Sequence, residues 1–224
     1  DCGFRKPEYL MVYLIAGLFK PKNKILGTEF AGVVEAVGAG VTKFNIGDNV
    51  FGLRTYKFGT HAEYVCVKQN GSIATKPHNM NFQEAAAVCD GLMLAINYIR
   101  KIDFSKPVKL LINGASGSIG TAAVQLAKYY GAQIHAVANT KNIELIKSLG
   151  AEKVFDYTQE DFTKQNEQYD VILDAVGKSS YFKCKHLLKS GGVYFSTELG
   201  YAMQNMWLPL VTVFMNKKTK FPIP

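Results

Sequence analysis

Between Pro107 and Thr197 two hydrophobic periods take turns along the chain: short continuous apolar runs, and longer stretches in which apolar residues return every three or four positions. The first pattern predicts buried strands and the second amphipathic helices. Lys109-Leu110-Leu111-Ile112-Asn113 reads as a strand that passes through Gly114-Ala115-Ser116-Gly117 into a helix opening near Ser118. That helix carries Ile119, Ala122, Ala123, Leu126, Ala127 and Tyr130 on one face, leaves Gln125 and Lys128 on the other, and stops at Gly131. Gln133 to Ala138 predicts a second strand, followed by a helix with Ile143, Ile146 and Leu149 on one side and Gly150 as its cap. Further strands are expected over Lys153 to Phe155, Tyr169 to Asp174 and Val193 to Ser196, with a helix over Tyr181 to Leu188 and a turn at Gly191-Gly192. Strands alternating with helices predict an α/β fold whose doubly wound parallel sheet is covered on both faces.

Before about position 95 the texture changes to Gly, Thr and Val at short intervals, which predicts a compact β-rich domain. Asn81-Phe82-Gln83-Glu84 followed by Ala85-Ala86-Ala87-Val88 predicts a capped helix that runs to about Arg100 and joins the domains. Two domains are expected, 1–95 and 96–224, and a 224-residue chain with 48% hydrophobic residues has enough apolar material for two modest cores.

Composition narrows the function classes. The longest apolar stretch, Met206 to Met215, is too short to span a bilayer and contains Pro209. No signal peptide is visible, although the chain opens at Asp1 without a methionine, which leaves a leader open. Cys2, Cys66, Cys89 and Cys184 are widely spaced without a C-x-x-C pair, which predicts a reducing compartment and a cytoplasmic address. The net charge of +8 is spread along the chain, with a cluster only at Lys217-Lys218-Thr219-Lys220. An ordinary solvated surface is expected, without a nucleic-acid or membrane partner.

The chemistry sits in the glycine turn. Small residues at Gly114, Ala115 and Gly117 let backbone approach a pyrophosphate, and the helix opening at Ser118 aims unpaired N–H groups and a positive dipole end at it. Gly120 lets helix and strand pack closely, while Ala115 stands where the usual G-x-G-x-x-G has its first glycine. An acid about 20 residues past such a turn would hold the ribose hydroxyls of NAD. Here the second strand ends Ala138-Asn139-Thr140-Lys141-Asn142, with no carboxylate and one positive charge, which favours NADPH over NADH. The alternative is that Asn139 to Asn142 only cap a helix and Lys141 is solvated.

These residues resemble a known family. Asn113 to Gly120 is similar to the N-G-A-S-G-G-V-G turn of the zinc-independent quinone oxidoreductase (zeta-crystallin-like) branch of the medium-chain dehydrogenase/reductases. Gly27 to Gly38 resembles its G-x-E-x-x-G-x-V segment, Phe44 to Val50 its F-x-x-G-D-x-V, Gly59 to Tyr64 its G-x-x-A-E-Y, and Asp170 to Gly177 its D-V-x-x-D-x-V-G strand end. The resemblance implies a GroES-like substrate domain ahead of a Rossmann domain, with the active site in the cleft between them. It places the pyrophosphate on Gly114, Gly117, Ser118 and Ile119. The 2′-phosphate would meet Asn139, Lys141 and Tyr157, since Asp156-Tyr157 matches the family's N-Y, and Tyr157 reads equally as a half-buried packing residue. Val176 and Gly177 are expected to border the nicotinamide.

Departures from the pattern carry their own expectations. Thr28 stands where zinc-dependent members have a histidine, Cys89 falls at another ligand position, and the close cysteines of a structural zinc lobe are lacking, so no zinc is expected. The start matches the Asp of the family's N-P-x-D segment and the end, Phe221-Pro222-Ile223-Pro224, precedes its last strand and closing helices. Both domains are therefore expected to be incomplete, with apolar surface exposed at the cuts.

The chemistry implied is hydride transfer from a nicotinamide to a carbon conjugated with a carbonyl, as in quinones, enones and 2-alkenals. No residue stands out as an obligatory acid, so the catalytic group is left unassigned. Tyr56, His61, Tyr64 and Asp90 are within reach of such a role and read equally as packing or surface residues, while Glu29 is expected to orient backbone. The partner expected is a small electrophile, with a homodimer left open. Two competing readings are an alcohol or carbonyl dehydrogenase of the same superfamily and a dinucleotide-binding module without turnover.

Overall fold

The computed structural model describes residues 17, 22–54 and 57–221. Tyr56, Cys2, the Asp1 match and residues 222–224 lie outside them. The chain divides into two compact units, Asp1–Asp90 and Gly91–Pro224.

In the first unit an antiparallel sheet runs β1 (Glu29–Val33), β2 (Asn49–Leu53), β3 (Ser72–Thr75) in that order, with Glu29 opposite Leu53 and Val50 opposite Thr75. Helix α1 (Phe82–Ala87) starts at Asn81, whose side chain accepts from the Glu84 N–H while the Glu84 carboxylate accepts from Asn81 N–H. This reciprocal cap satisfies two of the donors a helix start leaves unpaired. The single helix expected from Asn81 to Arg100 is two helices, α1 and α2 (Cys89–Ile99). They meet at Val88, whose N–H is shared between the Glu84 and Ala86 carbonyls, so the regular ladder lapses for one residue.

The second unit carries β4 (Lys109–Asn113), α3 (Ser118–Tyr129), β5 (Gln133–Ala138), α4 (Ile143–Leu149), β6 (Lys153–Asp156), β7 (Tyr169–Asp174), α5 (Tyr181–Cys184), β8 (Leu188–Ser196), α6 (Gln204–Thr212) and β9 (Lys218–Lys220). The sheet order is β6-β5-β4-β7-β8-β9, and every neighbouring pair is parallel. Strand order thus reverses between β4 and β7, the place where open α/β sheets leave a crevice at their strand ends. Successive residues of β4 feed opposite faces: Leu110 and Ile112 pack with Ala123, Val124 and Ala127 of α3, and Leu111 packs with Ile172, Tyr194 and Leu187. Each fully buried Leu, Ile or Val among them contributes about 1.5–3 kcal/mol.

Two elements differ from expectation. The helix over Tyr181 to Leu188 is one α-turn, Tyr181–Cys184, and one 3-10 turn, Lys185–Leu187, because Leu188 already pairs with Tyr169 as the start of β8. The register then slips, and Gly191 at φ +79° lets Lys189 to Gly192 bulge before Val193 rejoins the ladder. The basic cluster Lys217 to Lys220 contains strand β9, whose Thr219 is buried and donates its N–H to the Thr212 hydroxyl, while Lys218 and Lys220 stay exposed. Met206 to Met215 forms α6 and the turn after it, and leaves Trp207, Leu210 and Phe214 exposed. No helix among the described residues is long and apolar enough to cross a membrane.

One buried base gives a prediction. His135 on β5 is buried, its Nδ1 2.9 Å from the Tyr169 hydroxyl, and burial followed by the nearby Lys109 ammonium holds its pKa below the ordinary 6.5. A folded pKa below the unfolded one means that the unfolded chain binds the extra proton, so this contribution is intact above about pH 6.5 and is lost as pH falls below it. The urea midpoint should decline from about pH 7 to about pH 5, and His135→Gln should flatten that decline. An identical slope in the variant contradicts the assignment.

Candidate functional site

Because β4, β5, β6 and β7 are parallel, their C-terminal ends share one edge of the sheet. Every residue the sequence nominated for a nucleotide lies on that edge. Gly114, Ala115, Gly117, Ser118 and Ile119 follow β4, Asn139 and Lys141 follow β5, Tyr157 follows β6, and Val176 and Gly177 follow β7.

The glycine turn is tight for identifiable reasons. Gly114 has φ +77°, and a Cβ there would lie 2.8 Å from the Val176 Cβ, so the loops after β4 and β7 are in direct contact. A Cβ on Gly120 would lie 2.2 Å from the Gly114 carbonyl oxygen and 2.6 Å from the Ala115 Cα, which lets α3 close onto the turn only with glycine there. Gly117 is different: it is exposed, its φ of −79° suits any residue, and the nearest atom to an added Cβ is the Gly114 carbonyl oxygen at 3.5 Å. As the N-cap of α3 it offers no side-chain acceptor, so the first-turn donors have no capping partner from it and the helix dipole stands behind them, while Gly91 of α2 packs against Ser118. Ser118 is exposed and Ile119 half-buried.

Ala115 has another part. It is fully buried and its N–H donates to the Val137 carbonyl at 3.0 Å, so the amide is not available to a ligand and the residue serves by its small size and by tying the turn to β5.

At the ends of β5 and β6, Asn139 precedes a 3-10 turn over Thr140–Asn142, and its Oδ1 is buried without a hydrogen-bond partner among the described residues. It does not cap the turn by its side chain. Lys141 is exposed and its ammonium makes no ion pair among the described residues. Tyr157 is 59% exposed, and its N–H donates to the Ala138 carbonyl, which anchors the residue beside Asn139.

The structure also brings an acid to this corner. Register places Asp156 level with Ala138, the last residue of β5. Its carboxylate accepts from the Thr140 hydroxyl and from the Thr158 hydroxyl and N–H. Those bonds, Thr140 first, hold its pKa below the ordinary carboxylate value. The absence of a carboxylate at the end of the second strand is therefore true of the sequence and not of the neighbourhood.

A second acid went unassigned in the sequence. Asp174, the last residue of β7, is fully buried and accepts from the Asn113 side chain, from the Val176, Gly177 and Ser179 N–H groups, and from the Tyr194 hydroxyl. Glu198 packs over Gly177, and burial followed by the Asp174 charge raises its pKa.

In the first unit, Glu29 holds backbone, its Oε1 accepting from the Asp90 N–H at 3.0 Å. His61 lies against Gly27, and Tyr64 and Asp90 are exposed. The Cys89 thiol donates to the Ala85 carbonyl, and burial followed by the Glu29 charge pushes its pKa up to about 11. Among the described residues no three His, Cys, Asp or Glu side chains converge. Two surface concavities, one lined by Gln125, Lys128 and Tyr129 and the other by Lys109, Gln133, Asp170 and Lys189, lie away from the strand-end edge.

Residues 4–78 match the family described as alcohol dehydrogenase GroES-like domain, and residues 118–221 the family described as zinc-binding dehydrogenase. The chain is 36% identical over 181 residues to a 2-methylene-furan-3-one reductase of Solanum lycopersicum, an alignment covering 77% of this chain and 46% of that protein. It is 34% identical, with the same coverage, to a chloroplastic NADPH-dependent alkenal/one oxidoreductase of Arabidopsis thaliana. The chain thus spans less than half the length of these relatives. Among solved structures, the quinone oxidoreductase from Coxiella burnetii superposes with a TM-score of 0.83 at 25% identity, covering 100% of this chain and 69% of that one. Two matched families in order, these sequence relatives and this superposition agree on one assignment: the chain belongs to the medium-chain dehydrogenase/reductase superfamily, alongside its quinone and alkenal oxidoreductases.

Proposed function

We propose that the chain belongs to an NADPH-dependent oxidoreductase that reduces quinones or carbonyl-activated double bonds by hydride transfer without zinc, and that its second unit holds the nucleotide. One observation carries the reading: the N-terminus of α3, which its N-cap Gly117 leaves without a side-chain partner, lies at the strand-order reversal, and a Cβ on Gly117 would meet only the Gly114 carbonyl oxygen within 4 Å among the described residues. The names of the relatives, a furanone reductase, an alkenal/one oxidoreductase and a quinone oxidoreductase, support the substrate class.

The residues present fit a dinucleotide phosphate. The space over Gly117 is what a pyrophosphate needs, and the orphaned Asn139 Oδ1 is a buried acceptor awaiting a donor such as a ribose hydroxyl. Once bound, the cofactor supplies a hydride. Everything else in the account falls to the chain. The N–H groups of Ser118 and Ile119 would hold the pyrophosphate, Val176 and Gly177 would form the wall on the nicotinamide side, and Asn139, Lys141 and Tyr157 would receive the adenosine end, where the exposed Lys141 would supply a positive charge for a 2′-phosphate. Thr28 is a poor zinc ligand, and the Cys89 thiol is held neutral by burial, so activation of the substrate carbonyl rests on hydrogen bonding. The free thiols of Cys66, Cys89 and Cys184 support a reducing compartment, for which we propose the cytoplasm.

Nicotinamide absorbance, followed with a panel of quinones, enones and 2-alkenals in chelator-treated buffer, tests the reading. NADPH should be consumed by conjugated electrophiles, and NADP should not be reduced by simple alcohols. Binding without turnover points to a non-catalytic module, and activity that disappears with the chelator points to a zinc dehydrogenase. Either result overturns the proposal.

A further inference from the structure

Asp174 is a fully buried carboxylate with no ion-pair partner among the described residues, and such a group is costly unless its oxygens are filled by donors. Here they are. Oδ1 accepts from the Asn113 amide at 2.9 Å, the Gly177 N–H at 3.0 Å and the Val176 N–H at 3.3 Å, and Oδ2 from the Ser179 N–H and the Tyr194 hydroxyl, each at 3.0 Å. Its carbonyl accepts from the Thr197 N–H. One side chain therefore joins the ends of β4, β7 and β8.

The donors are not a random set. Asn113 is the residue before the glycine turn, and Val176 is the residue packed against Gly114. Three consecutive-loop amides closing on one carboxylate leave the backbone from Val176 to Ser179 a single arrangement, with Gly177 at φ +65°. Resting on the nucleotide reading above, we propose that Asp174 is a positioning residue that fixes the nicotinamide-side wall against the glycine turn, while taking no part in holding the adenosine half. It acts through Val176 and Gly177 and does not touch the cofactor.

The two halves of the site give the test. Adenosine 2′,5′-bisphosphate probes the Asn139–Lys141 corner alone, and NADPH probes that corner together with the wall after β7. Asp174→Asn keeps the shape but turns an amide donor toward donors. It should weaken NADPH by about tenfold or more while leaving the bisphosphate within about twofold of wild type. Tyr194→Phe removes one donor and leaves the carboxylate. It should fold normally, shift NADPH affinity in the same direction by a few-fold, and speed hydrogen exchange at the Val176, Gly177 and Ser179 amides. The proposal is overturned if wild type binds both probes and neither variant alters NADPH affinity, or if both probes weaken equally. Wild-type protein that binds neither probe overturns the nucleotide reading itself, and the proposal with it.

Discussion

Gly117→Asp should abolish NADPH binding and leave the fold as stable as before. The substitution costs nothing in backbone, since Gly117 has φ −79° and ψ 171° and a Cβ there makes only ordinary contact. Asp is moreover among the preferred N-cap residues, so its carboxylate would accept from the first-turn N–H groups that glycine leaves unpaired, worth a few tenths of a kcal/mol over glycine. The same carboxylate would sit where a pyrophosphate is to be received. A unit charge about 4 Å from another at an effective dielectric near 20 is opposed by about 4 kcal/mol, close to a thousandfold in affinity. Thermal denaturation and NADPH fluorescence titration read the two effects separately. A variant that melts at the wild-type temperature and still binds NADPH would remove the α3 N-terminus from the site.

The second large effect concerns the choice between the two nicotinamide cofactors. Lys141 is exposed, unpaired among the described residues, and one residue after Thr140, whose hydroxyl Asp156 accepts. Lys141→Glu reverses the charge offered to a 2′-phosphate without touching a packed group, so stability should stay within about 0.5 kcal/mol. NADPH affinity should fall by about 10- to 100-fold and NADH affinity by no more than about twofold, because NADH carries a neutral hydroxyl at that position. Equal losses for both cofactors would mean that Lys141 has no part in reading the phosphate. Asp156 does not reverse the expectation, since Thr140 and Thr158 already occupy its oxygens.

How far the chain could be read without its structure depends on whether each feature is local. The alternation of Leu110, Leu111 and Ile112, the small residues of the turn and the period of α3 are all written within one stretch, and the strand-turn-helix follows from them. Asn81 and Glu84 are equally local, so the start of α1 was legible, while the lapse at Val88 two turns on was not. Strand β9 escaped because Lys-Thr-Lys has no apolar residue to mark it and owes its place to pairing with Val193 to Phe195. The bulge from Lys189 to Gly192 arises from fitting β8 to β7, which no single segment encodes.

The site divides along the same line. Gly114, Gly117 and Ser118 announce themselves by type and spacing. Asp156 and Asp174 fall within matched segments, but their parts are not local, because each matters through partners far along the chain: Asp156 meets Thr140 by the register of β5 on β6, and Asp174 meets Asn113 and Tyr194 across two strand pairs. A signal for Asp174 did exist in the sequence, as an acid at the end of an otherwise apolar strand, Val171-Ile172-Leu173-Asp174. An ionisable residue in so buried a place needs a set of donors, and the loop after β7 supplies three of them. Ala115 was legible as a small residue, but that its N–H belongs to Val137 was not.

The central claim is that the N-terminus of α3, with the loops it touches, receives a nicotinamide dinucleotide phosphate. Backbone amide resonances followed during an NADPH titration test it most directly. The account predicts the largest shifts at Gly117, Ser118, Ile119 and Gly120, with a second group at Asn139 to Lys141 and a third at Val176 and Gly177. Saturable shifts confined to another surface, such as the one lined by Gln125, Lys128 and Tyr129, with the glycine turn unmoved, would contradict it.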